Sequence, residues 1–169
     1  TRLPRGGPPS ISGTAITVGS ATVVNATTAT ASFTVASNAT TGLRSLTWNQ
    51  PAGGGGARGT GVGVITVNFP DPTVTSIAPT ALRQLDSSAT LTLTGTGFRT
   101  GGAITISGTG LTLGSTTVTN DTTASVPVTV DVAATVGTRD VTFTQAAGGG
   151  GAAGTKSAAL TIKNPVPTL

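Results

Sequence analysis

The chain has 169 residues, a net charge of +4 and only 8 % charged residues, and it contains no Cys, His, Met, Tyr or Glu. Without Cys there are no disulfide staples, and without His there is neither a Ser–His triad nor the usual proton shuttle; the soft metal ligands are gone as well. The nine basic residues are scattered and aromatics make up 3 %, so the basic stripe with stacking rings that a nucleic-acid surface needs is missing, and no apolar run approaches the roughly 20 residues of a membrane-spanning helix.

What remains is dominated by Thr, with 37 copies, and by 25 Gly, with Val, Leu, Ile and Ala as core material. β-Branched residues punctuated by Gly, Pro and Asn describe short strands and tight turns rather than helices. In chain order the alternating runs predict strands near 7–12, 16–24, 28–37, 43–49 and 62–68. A second series follows near 73–78, 89–95, 102–107, 111–119, 123–132, 138–144 and 157–163. The clearest is Val126-Pro127-Val128-Thr129-Val130-Asp131-Val132, whose four Val alternate with polar residues or Pro, so that one face is buried and the other wet. Pro127 lacks an N–H and is expected on an edge or at a bulge.

The two series are copies of one another. Sliding residues 1–74 onto 96–169 needs no gap, and 36 of the 74 pairs are identical. Gln50-Pro51-Ala52-Gly53-Gly54-Gly55-Gly56 returns as Gln145-Ala146-Ala147-Gly148-Gly149-Gly150-Gly151, and Trp48 falls on Phe143. A tandem repeat of 95 residues follows. Residues 75–95 have no counterpart, so the first repeat is expected to lack its first two strands. The expected organisation is a truncated immunoglobulin-like repeat over 1–70, a second over 71–165, and the opening of a third over 166–169. The fold class is all-β: two tandem immunoglobulin-like β-sandwich domains of about seven strands each.

Pro72-Thr73-Val74-Thr75-Ser76-Ile77-Ala78-Pro79, then Leu93-Thr94-Gly95-Thr96-Gly97-Phe98, and later Gly137-Thr138-Arg139-Asp140-Val141, resemble IPT/TIG domains. These are immunoglobulin-like modules of plexins, some transcription factors and many bacterial surface proteins. The resemblance covers the second repeat and, through the duplication, the first. It implies adhesion, spacing or interaction modules of a bacterial or archaeal surface protein. The chain departs from the pattern in its four-glycine blocks and at Leu3, which stands where Phe98 does.

Individual motifs add little chemistry. The glycine blocks are not phosphate cradles, because Ala57-Arg58 and Ala152-Ala153 follow where a P-loop places Lys and Ser/Thr. They are expected to be hairpin loops, either flexible or bare enough for another backbone to pack on Gly53, Gly54, Gly55, Gly56, Gly148, Gly149, Gly150 and Gly151. The five Asp are not paired by spacing, and Asp71 lies between Pro70 and Pro72 at a linker where its counterpart is Val166, so no catalytic residue, cofactor or metal is expected. Asn25, Asn38 and Asn120 each begin an Asn-x-Thr and are candidate glycosylation sites. Trp48 on an alternating strand reads as core rather than as a sugar platform.

The expected function is therefore non-enzymatic. The chain reads as a structural repeat of an extracellular or cell-surface filament, stalk, adhesin or surface layer, with self-association or neighbouring copies of the repeat as partners, and with glycans on exposed residues. The strands missing from the first repeat would come from residues upstream in a longer chain or from a neighbouring subunit by strand addition. The alternatives are a carbohydrate- or receptor-binding module and an accessory domain of a secreted enzyme.

Overall fold

A computed structural model describes residues 7, 9–25, 27–50 and 55–167. The protein is all-β and divides into two compact units, Thr1–Asn68 and Phe69–Leu169.

The second unit is a two-sheet sandwich. One sheet joins β6 (Thr73–Ala78), β8 (Ala89–Thr96) and β12 (Thr123–Val130), with β10 (Leu111–Leu113) and β11 (Thr117–Asn120) sharing the far edge of β12. The other runs β7 (Ala81–Arg83), β14 (Ala153–Lys163), β13 (Gly137–Thr144) and β9 (Ala103–Ile106). Every pairing is antiparallel except that of β7 with β14. The alternation read from sequence places Ala124, Val126, Val128 and Val130 of β12 inward, against Leu91 and Leu93 of β8. Val141, Phe143, Leu160 and Ile162 meet them from the opposite sheet, and Phe98 closes the core with its ring centroid 4.5 Å from that of Phe143.

The first unit holds β2 (Ile16–Val23) paired with β3 (Ala29–Val35), and a sheet of β1 (Ser10–Ile11), β4 (Gly42–Asn49) and β5 (Arg58–Val67). These correspond, at an offset of 95, to β10–β11, β12, β9, β13 and β14. The registers repeat as well: Gly42 faces Val67 as Gly137 faces Ile162, Trp48 faces Gly59 as Phe143 faces Gly154, and Ser10 faces Thr47 as Thr105 faces Thr142. Both units carry a bulge between the same residues, Arg44/Leu46 and Arg139/Val141. Polar details recur too. Arg44 donates to the carbonyl and hydroxyl oxygens of Thr40, as Arg139 does to those of Thr135. Asn25 Oδ1 accepts from the N–H and hydroxyl of Thr27, as Asn120 Oδ1 does from Thr122.

Several elements differ from the sequence expectation. The run 111–119 is two strands, because the chain leaves β12 between Leu113 and Thr117. Pro127 lies in a central strand, not at an outer edge. Gly114 donates to its carbonyl at 2.8 Å, so its N–H-less side faces that interruption and no ladder bond is lost. The last strands begin at Arg58 and Ala153, four residues earlier than their apolar runs, held by hydrogen bonding to β4 and β13. Phe69 belongs with the second unit, its N–H donating to the carbonyl of Gly149 at 3.1 Å.

Candidate functional site: an open groove in the first unit

No strand in the described part of the first unit corresponds to β6, β7 or β8. The consequence is local and physical. In the second unit β12 is flanked on both sides, whereas its counterpart β3 pairs only with β2; β14 is flanked by β13 and β7, whereas β5 pairs only with β4. Two strand edges therefore present unused backbone N–H and C=O groups among the described residues.

Between the sheets of the first unit lies a groove of ≈ 410 Å³ lined by Pro9, Ala29, Thr30, Ala31, Phe33, Leu46 and Trp48. Shifted by 95, the apolar members of this lining are Ile104, Ala124, Val126, Val128, Val141 and Phe143, all in the buried core of the second unit. Phe33 is 38 % exposed where Val128 is at 0 %, and Val35 is 51 % exposed where Val130 is at 2 %. Trp48 is half-buried, and its indole N–H is shielded yet finds no hydrogen-bond partner. The groove is a core laid open on one side, mostly apolar with backbone hydrogen-bonding groups along its rim. Such a surface suits an extended peptide rather than a small polar ligand.

A pair of glycines shows the same difference. Gly154 is buried because the backbone of Pro72 and Thr73 crosses directly over it, and a side chain there would run into that backbone. Its counterpart Gly59 is exposed, and a Cβ placed on it meets no atom within 4 Å.

The residues singled out from the sequence do not converge on one place. Gly55 and Gly56 form an exposed turn with φ of +92° and +62°; Gly53 and Gly54 lie outside the described residues. In the second unit Ala147–Gly149 is a single 3-10 turn, ended by Gly150 and Gly151 at φ +102° and +66°. Gly148 is open to solvent, but Gly149 is covered by the ring of Phe69, over which Arg99 stacks with its guanidinium carbon 5.6 Å from the centroid. What packs on this glycine loop is thus the residue that opens the same unit. Asn25, Asn38 and Asn120 are all exposed at or beside turns; the carbonyl oxygens of Asn25 and Asn120 are engaged by Thr27 and Thr122.

Three of the five carboxylates hold backbone. Asp86 accepts from the N–H of Arg83, Asp131 from that of Ala133 and Asp140 from that of Ala158. No three of His, Cys, Asp and Glu gather among the described residues, and no helix there is long and apolar enough to cross a membrane. The one signal in the sequence that reaches the groove is the missing counterpart of 75–95; no individual residue marks it.

Comparison with known proteins reaches the second unit alone. A family model described as quinohemoprotein amine dehydrogenase, alpha subunit domain III, matches residues 71–149. That model is of a β-rich, immunoglobulin-like sandwich domain, and no IPT/TIG model matches the chain. No curated protein and no solved structure matches the chain.

Proposed function

We propose that the chain is a non-catalytic structural segment of an extracellular filament, stalk, adhesin or surface layer, built from tandem immunoglobulin-like modules of the IPT/TIG kind. The observation that carries this reading is the repetition of strand register, bulge and side-chain hydrogen bonds at a 95-residue offset in both units. Two cores that share a backbone plan but differ in many side chains are what an array selects for: length and stiffness, with no residue tied to one chemistry. Three of the five carboxylates, Asp86, Asp131 and Asp140, are occupied in turns and strand junctions, which supports a structural role for them. Exposed Asn25, Asn38 and Asn120, together with the threonine-rich outer faces, would carry glycans. Immunogold labelling of thin sections of source cells with antibodies against the second unit tests the proposal. Label along surface filaments or a surface layer is expected, and label confined to the cytoplasm overturns it.

The family match favours a second reading, in which the β-sandwich is an accessory domain attached to a catalytic subunit. The neighbouring reading frame discriminates between them. Further 95-residue copies belong to an array, whereas an adjoining catalytic domain belongs to the accessory reading.

A further inference from the structure

We infer that the groove of the first unit is an acceptor for an extended peptide bearing the repeat's own opening sequence, Thr73–Thr96, laid against β3 in the register that β8 takes on β12. The identity of the occupant follows from the internal copy. Every described strand pairing of the first unit has its equivalent in the second, and all residue pairs but Ala21–Ala31 recur at the same offset, so the second unit displays what a filled groove contains. Transposed by 95, the pairs Leu93–Ala124, Leu91–Val126 and Ala89–Val128 put the two leucines opposite Ala29 and Ala31 and the alanine opposite Phe33. The sizes are complementary: Ala31 is smaller than Val126 and receives a Leu, while Phe33 is larger than Val128 and receives an Ala. The β6 part of the segment would cross Gly59 as Pro72 and Thr73 cross Gly154, which gives the open glycine its use.

The source is a further copy of the repeat rather than the second unit of another molecule. Among the described residues there are two sandwich cores and one opening segment. Lending Thr73–Thr96 to the first unit would uncover Leu91, Leu93 and the valines of β12, leaving a groove as large as the one it filled. An additional opening segment covers one groove and opens none. Docking would remove Phe33, Trp48 and Leu46 from water and satisfy the free edge of β3, the two contributions that drive strand addition.

Trp48 is the only tryptophan and lines the groove, so the chain reports on itself. The test titrates the full 169-residue chain with a synthetic peptide of residues 70–98, which contains no Trp. A saturable blue shift of Trp48 emission at one peptide per chain is expected, with slowed amide exchange in Ala29–Val35. The same peptide carrying Leu91→Asp and Leu93→Asp should bind at least tenfold more weakly. In the chain, Gly59→Val adds a Cβ that meets no atom within 4 Å, so the free protein should stay folded, yet it should weaken the peptide at least tenfold. Absence of a saturable response, an equal response to the Asp peptide, or indifference to Gly59→Val overturns the inference. So does a concentration-dependent dimer that protects Trp48 without peptide, which would make a second copy the occupant. The inference draws on the array reading for its biological setting only: cytoplasmic immunogold label would remove that setting while peptide binding stood, and failed binding would leave the array intact.

Discussion

Phe143 and Trp48 hold the same register position, each facing a glycine across a hairpin, yet Phe143 is fully buried and Trp48 half-buried. Nothing in their own strands accounts for that. Phe143 is covered by Phe98 and by the layer of β6 and β8, and the first unit has no such layer among its described residues. The comparison separates two things that a single domain confounds. Strand pairing, bulges and turn caps persist without the opening strands, because they are satisfied within the sheet. Core burial does not, because a sandwich needs both faces.

The largest break in this comparison should come from truncating the two aromatics. Phe143→Ala is expected to cost the second unit about 3–5 kcal/mol, the range for a large side chain removed from a closed core. Trp48→Ala should cost the first unit less than about half of that, since much of the indole's surroundings is already solvent. Calorimetry of the two unfolding transitions measures both, and equal losses would mean that the first unit is packed as tightly as the second. Leu91→Ala comes next, at about 2–5 kcal/mol on the second unit, with Trp48 fluorescence, which reports the first unit alone, unmoved. A shift in the Trp48 transition would show that the units unfold together.

Much of this architecture was legible in advance because its signals are local. Alternation placed β6, β8, β12 and β13 within two residues, and an ungapped offset exposed both the repeat and the missing strands. The failures share one cause, which is that a partner decided the outcome. Arg58-Gly59-Thr60-Gly61 has little strand propensity of its own and is extended only because β4 holds it; the chain leaves β12 beside Pro127 at the point where the β2–β3 register also shifts, between Val18 and Ala21. The three-residue β7 pairs parallel to the end of β14, a contact with no sequence signature. The groove was legible as an absence, yet Trp48, expected in a core, is half-exposed because the strands that would cover it are those with no counterpart.

Where the units agree, matched substitutions should have matched effects. Arg44→Ala and Arg139→Ala each remove the donor to a threonine carbonyl and hydroxyl, so each should cost its own unit about 1 kcal/mol. The arginine also packs over Gly13 or Gly108, where a side chain would collide with it. Losses that differ by more than about 1 kcal/mol between the units would show that the open core weakens even the capped turns, since the local bonds are the same.

The smallest effect is expected at the bulge. Ala158 takes φ +50° there, while its counterpart Gly63 takes φ +62°. The N–H of Ala158 donates to Asp140 Oδ1 at 2.8 Å and that of Gly63 to Ser45 Oγ at 3.4 Å, so the backbone at this point is set by the β13 and β4 side chains, not by the residue itself. An alanine in the left-handed region bears about 1–2 kcal/mol of steric cost. Glycine relieves it but loses about 0.5–1 kcal/mol to chain entropy. Ala158→Gly should therefore stabilise the second unit by about 0.5 kcal/mol, and Gly63→Ala should destabilise the first by a similar amount, because a Cβ there makes only an ordinary contact at 3.7 Å with Leu43. Urea midpoints at unchanged slope measure both; the same sign for the two substitutions would show that the bulge backbone differs between the repeats despite their shared register.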